Sequence, residues 1–170
     1  RLYYCAAPSV GSGHTFTVTG SGTYPGVQII AFSGSHASPY DQTNGAYSTN
    51  SSSQAAGSLT PSEDNCLVVT AVGLGGGSVT EQVDSPFSAH QYFIDVIAGT
   101  NQGCGIAYEV QTTATARNPT WTGTATGSGR DRSATIATFK KAAGGGGGGQ
   151  PTVKRWGGVK FSGAGIQGVW

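Results

Sequence analysis

The sequence predicts an all-β domain: an antiparallel β-sandwich or jelly roll, built from a duplicated three-strand meander and followed by an extended C-terminal tail. Three observations predict it. Apolar residues alternate with polar ones or gather in short dense runs, as they do in strands. Gly-, Ser-, Asn- and Pro-rich turns separate these runs at short intervals. One pattern of aromatic residues, a Gly-Ser-Gly turn and a closing strand occurs twice. The composition excludes the rival classes. The chain has 170 residues, 29 of them glycine, and only 10% are charged. It lacks the Leu/Glu/Lys-rich heptads of a coiled coil, and no apolar run is long enough for a membrane-spanning helix. Three Trp, seven Tyr and six Phe with a net charge of +1 are too apolar and too neutral for a disordered chain.

The elements follow in chain order. His14–Thr19 alternates strictly, with Phe16 and Val18 on one face and threonines on the other. Val27–Phe32 and Cys66–Val72 are denser apolar runs suited to core strands. Tyr92–Ile97, Gly105–Gln111, Thr120–Thr126 and Ala134–Phe139 complete the series. Between the second and third of these, Ser38–Tyr47 reads as a polar loop. Nothing reads as a helix longer than one turn. Short strands so punctuated fit a sandwich or jelly roll.

The repeat aligns Tyr3, Phe16, Gly20-Ser21-Gly22 and Phe32 with Tyr108, Trp121, Gly127-Ser128-Gly129 and Phe139. Tyr3 to Phe16 and Tyr108 to Trp121 both span 13 residues, and Gly22 to Phe32 and Gly129 to Phe139 both span 10. The second copy is preceded by further strands, whereas the first begins at Arg1. If the copies are equivalent, the first lacks roughly 40 residues holding about two strands. The expectation is that a precursor segment or another chain supplies them.

Three parts result: a sandwich body over 1–142, a glycine-rich tether over 143–150 and a basic, aromatic tail over 151–170. Gly144–Gly149 is six consecutive glycines, whose ordering would lose the most backbone entropy. As a coil, Ala142 to Gln150 spans about 15–18 Å, and roughly 30 Å at full stretch. Residues 1–139 carry a net charge of −4 and residues 140–170 carry +5, so the tail seeks an acidic surface. Two arrangements suit it. It can return to its own body as an extra strand, or it can dock on a neighbouring subunit by β-augmentation. The second is the expectation, with Val153, Arg155, Trp156, Val159, Phe161 and Trp170 as the docking residues.

No catalytic constellation is present, so the chain is expected not to be an enzyme and to need no cofactor. There is no Walker loop, no G-x-S-x-G elbow, no H-E-x-x-H and no C-x-x-C. His14, His36 and His90 lie far apart. Glu63 and Asp64 sit in Thr60–Asn65, which reads as a turn before a strand. Cys5, Cys66 and Cys104 have no metal spacing. They read as small buried hydrophobes, with one bridge as the alternative in an oxidising compartment. Five basic residues without RNA-binding motifs exclude a specific nucleic-acid role. The alternative to assembly is sugar binding. In the loop Ser38–Tyr47, Tyr40 or Tyr47 would stack on a sugar face while Asp41 and Asn44 bind its hydroxyls.

Several stretches together resemble the β-sandwich (jelly-roll-like) domains of bacteriophage virion structural proteins and secreted bacterial surface proteins. They are Leu2-Tyr3-Tyr4-Cys5-Ala6, His14–Thr19, Ile30-Ala31-Phe32-Ser33-Gly34 with Ser38-Pro39-Tyr40-Asp41, and Gly57-Ser58-Leu59-Thr60-Pro61 leading to Asn65–Val69. Ala137-Thr138-Phe139-Lys140 completes the body, and Val153–Phe161 is similar to the C-terminal ends of phage structural proteins. The resemblance covers most of residues 2–141 and transfers no catalytic residue. It implies a virion structural subunit, such as a capsid decoration or tail-fibre protein, with a carbohydrate-binding adhesin or a subunit of an extracellular filament as the alternatives. Its partners would be copies of itself or other virion and surface proteins, or cell-surface glycans for an adhesin. It would sit outside the cell or on the virion surface, without a membrane span.

Overall fold

Val68, Val69, Ile136 and Ala137 are buried on successive positions of two paired strands, so both faces of the sheet they share are covered. That sheet is the centre of the molecule. The computed structural model describes residues 1–6, 27–75, 80–97, 100–123, 131–143 and 152–154. Its strands are β1 (Ala31–Ser33), β2 (Ser35–Ser48), β3 (Ser53–Ala55), β4 (Leu67–Gly75) and β5 (Gln82–Val83). They continue as β6 (Ser88–Ile97), β7 (Thr100–Val110), β8 (Thr120–Thr122), β9 (Asp131–Lys141) and β10 (Thr152–Lys154). The described residues contain no helix, so the fold is all-β and β-sandwich-like.

Five strands form one antiparallel sheet in the order β2-β9-β4-β7-β6, and three form a second in the order β3-β8-β5. β1 and β10 pair as a separate two-stranded ribbon. The pairing is nested. β1 pairs with β10, β2 with β9, β3 with β8 and β4 with β7, all antiparallel. Inside this nest β5 leads into β6 through the turn Asp84–Phe87, which contains the cis Ser85–Pro86 peptide.

Strand periodicity assigns the two faces of the large sheet. Val68, Val72 and Leu74 of β4, Ala134 and Ile136 of β9 and Ala107 of β7 pack against Trp121 of β8, Ala56, Leu59 and Phe87. This is the core between the sheets. Trp121 is its largest member, and burying an indole removes about 200 Å² from water, on the order of 5 kcal/mol. The outer face carries Leu67, Val69, Ile106, Ala137 and Phe139, covered by Leu2, Ile30 and Phe32. Phe32 meets Tyr108 edge-on at 5.4 Å between centroids. Both faces of β4 are apolar for this reason, and its sequence is a dense run rather than an alternation.

A buried ion pair closes one end of the sandwich. Arg132 of β9 donates from Nη1 to Glu81 at 2.8 Å, both side chains being at most 1% exposed. Its Nε donates to the Ser51 carbonyl at 2.8 Å. A Cβ on Gly123 would overlap Glu81 and the Thr80 carbonyl, so only glycine permits this approach. At the other end Arg117 donates to both carboxylate oxygens of Glu109 at 2.6 Å.

Several expectations are corrected. Ser38–Tyr47 is not a loop but the body of β2, because β9 supplies a ladder partner to every residue from Gln42 to Ser48. The regular pairing near Val27–Phe32 is confined to Ala31–Ser33. The strands of the second repeat copy are not hydrogen-bonded neighbours. β7 and β9 flank β4, and β8 lies in the other sheet. The first copy falls largely in residues 7–26, outside the described residues, as does His14–Thr19. Thr60–Asn65 is a turn, with Asn65 at φ 62° and the Asp64 carboxylate accepting the Ala114 N–H at 2.7 Å. All three cysteines are free thiols, and only Cys66 is buried: Cys5 is exposed and Cys104 is half-buried.

Candidate functional site

β2 is the edge strand of the large sheet, and the sugar-binding candidates lie along it. Tyr40 pairs with Phe139 and Gln42 with Thr138, so Asp41 is an extra residue in a β-bulge. The bulge turns the Asp41 carboxylate to where three donors reach it. They are Ser62 Oγ at 2.6 Å, Ser62 N at 3.0 Å and Thr138 Oγ1 at 2.9 Å. Partial burial alone would raise the pKa of Asp41. The bonds from Ser62 and Thr138 and the charge of Lys140 outweigh burial and hold it below the usual aspartate value.

The next side chains continue the same contact. Gln42 Nε2 donates to the Thr60 carbonyl at 3.0 Å, and Asn44 Nδ2 donates to the Ser58 carbonyl at 2.9 Å. Asn44 Oδ1 accepts the Gly45 N–H at 2.8 Å. Gly57, at φ 92°, leaves room for the Asn44 amide where a Cβ would come within 2.7 Å. Segment 58–62 is therefore laced to the inter-sheet face of β2 over residues 41–44. Asp41 and Asn44 serve this lacing.

Thr43, Gly45 and Tyr47 lie opposite Ala137, Thr135 and Ser133, which places them on the outer face. Tyr47 is 61% exposed, and Tyr3, Tyr4 and Tyr40 are 77%, 55% and 43% exposed. Tyr4 stacks on Tyr40 at 5.7 Å with an interplanar angle of 11°, and meets Phe139 edge-on at 5.5 Å. Beside them runs a groove of about 160 Å³, bounded by Leu2, Tyr3, Tyr4, Tyr40, Thr43 and Phe139. The Tyr47 hydroxyl has a raised pKa, from desolvation and from the charge and hydrogen bond of Asp131.

The four sugar-binding candidates thus share a strand but not a single cluster. Tyr40 is engaged with Tyr4, Asp41 and Asn44 with segment 58–62, and Tyr47 lies further along near Asp131. Of the docking candidates, Val153 is in β10, in register with Phe32 of the chain's own β1. That is the folded-back arrangement for the start of the tail. Arg155, Trp156, Val159, Phe161 and Trp170 lie outside the described residues, as does the tether from 144 to 150.

The tyrosine groove was not visible in the sequence. Leu2-Tyr3-Tyr4 and Tyr40 are far apart along the chain, and only the fold brings them together. No group of His, Cys, Asp and Glu that could hold a metal occurs among the described residues. Burial raises the pKa of the Cys66 thiol, with the Asp41 charge adding to it, and burial raises that of Cys104. A raised pKa disfavours the reactive thiolate at both positions. Comparison with protein-family models, with curated proteins and with solved structures finds no match to the chain.

Proposed function

We propose that the protein is a non-enzymatic structural subunit, a capsid decoration or tail-fibre protein of a virion, whose sandwich is a jelly roll and which assembles through inter-subunit β contacts. The observation that carries the reading is the edge of β2. It is a fourteen-residue strand at the border of the large sheet, and no other strand pairs with its outward side among the described residues. Segment 58–62 binds the side chains of Asp41, Gln42 and Asn44, and Gln42 through Tyr47 stay exposed. An exposed edge of that length is a template for pairing with another chain. Proteins interrupt such edges with charge, proline and bulges; in β2 Pro39 and the Asp41 bulge precede Gln42, and the regular stretch Gln42–Ser48 carries none of these.

The nested strand pairing supports the jelly-roll reading. A hairpin rolled up on itself places strands in the order β2-β9-β4-β7 and β3-β8-β5; β6 departs from that scheme, pairing with β7 in the large sheet rather than with β5. Double Greek keys of this kind build viral shells and lectins. That analogy is one of fold, and the β2 edge supplies the physical argument.

Sedimentation velocity and negative-stain imaging test the proposal. The native chain is expected to associate at micromolar concentration, and the Ala46→Lys/Tyr47→Lys variant to remain monomeric with an unchanged far-UV spectrum. A native chain that stays monomeric at millimolar concentration, or a variant that assembles equally well, overturns it. A second reading, a sugar-binding adhesin, retains one observation: exposed Tyr47 beside the Asp131 carboxylate. Saturable binding to a glycan array, lost in Tyr47→Ala, would favour it.

A further inference from the structure

We infer that the tyrosine groove on the outer face is a docking site for the chain's own C-terminal segment, residues 155–170. Four observations converge on this occupant.

The first is position. β10 pairs with β1 in the register Val153↔Phe32 and Lys154↔Ala31, and Phe32 packs on the outer face. The chain therefore leaves Lys154 beside the face that holds the groove. The second is reach. Sixteen residues extend up to about 50 Å, whereas five strands at about 4.8 Å spacing span roughly 20 Å.

The third is chemistry. The groove is walled by Leu2, Tyr3, Tyr4, Tyr40 and Phe139, and its volume of about 160 Å³ is near that of a cavity that holds one benzene ring. Segment 155–170 offers three candidate rings in Trp156, Phe161 and Trp170. The fourth is charge. Residues 1–139 carry −4, while segment 155–170 carries +2 from Arg155 and Lys160 and no acid. The same groove exists on every copy. A segment already held at β10 meets its own groove at an effective concentration in the millimolar range, so the intramolecular contact prevails in dilute protein.

This assigns the tail to its own body and leaves contact between subunits to β2. The two are read independently, one by exchange in the tail and the other by sedimentation.

Hydrogen–deuterium exchange on the full chain provides the test. Residues 155–170 should exchange at least about tenfold more slowly than the same sequence as a free peptide, at every protein concentration. In Tyr40→Asp and in Tyr4→Asp that protection should vanish while β4 and β9 keep theirs. Should either variant fail to fold, Trp156→Ser/Phe161→Ser/Trp170→Ser replaces it, and exchange across Leu2–Cys5 should then quicken. Free-peptide rates in the native chain overturn the inference, as does protection that survives the groove variants. Protection that appears only at high concentration places the segment in a neighbour's groove, and loss confined to residues 7–26 gives the groove to that segment. Either result also overturns it.

Discussion

The Trp121 indole donates its N–H to the Thr70 hydroxyl at 3.0 Å, across the space between the two sheets. The same hydroxyl donates to the Thr135 carbonyl at 2.9 Å. One buried oxygen thus links β8, β4 and β9. Thr70→Val keeps the shape but strands the indole N–H, because valine has no acceptor. The expected loss is about 1–3 kcal/mol, measured by urea unfolding.

Gly105 faces the same ring. A Cβ there would lie 2.9 Å from Trp121 Cζ3 and 3.2 Å from Val72 Cγ1. Gly105→Ala should cost about 1–3 kcal/mol by overpacking, and it should alter the tryptophan near-UV signal, which Thr70→Val leaves more nearly native.

Glu81→Gln leaves the Arg132 guanidinium buried without its countercharge. A loss of about 3–5 kcal/mol is expected, seen as a fall of roughly 10 °C or more in the thermal midpoint. Glu81→Leu/Arg132→Leu should recover most of it, since both desolvation costs disappear together.

Asp41 sets an acid limit. Its folded pKa lies below the unfolded value of about 3.9, so the carboxylate stabilises the fold above that value. The contribution fades as pH falls below about 4 through the folded pKa. Asp41→Asn should lower stability at pH 7 and flatten the pH dependence between about 5 and 2. Denaturant midpoints at each pH provide the check.

Thiol labelling separates the cysteines. Cys5 is exposed, while burial holds the Cys66 and Cys104 thiols protonated. One thiol in three should react rapidly with a maleimide at pH 7, and the other two only on unfolding.

The strands of the core are legible in the sequence for a physical reason. β4 and β9 are buried on both faces, so they must be apolar runs bounded by turns, and Leu67–Val72 and Ala134–Phe139 show as such. β2 is hidden because an edge strand needs little apolar content. Pro39 and Asn44-Gly45 look like turn signals, yet β9 enforces extension, and Asp41, Gln42 and Asn44 bind a segment 14 to 21 residues away. β3, β5 and β10 are two or three residues long, below the length at which periodicity speaks. The groove was beyond reach because its walls come from residues more than 130 positions apart.

The nested pairing has a kinetic consequence. A chain that turns back on itself at β6–β7 can zip outward, each completed pair bringing the next two strands close and shortening the loop that remains to be closed. Assembly from the middle avoids the full entropic cost of joining residues 31 and 154 directly. The ribbon β1–β10 is then the last to latch and the first to come undone, so the two ends of this polypeptide would be released together, as one unit, before the sandwich itself gives way.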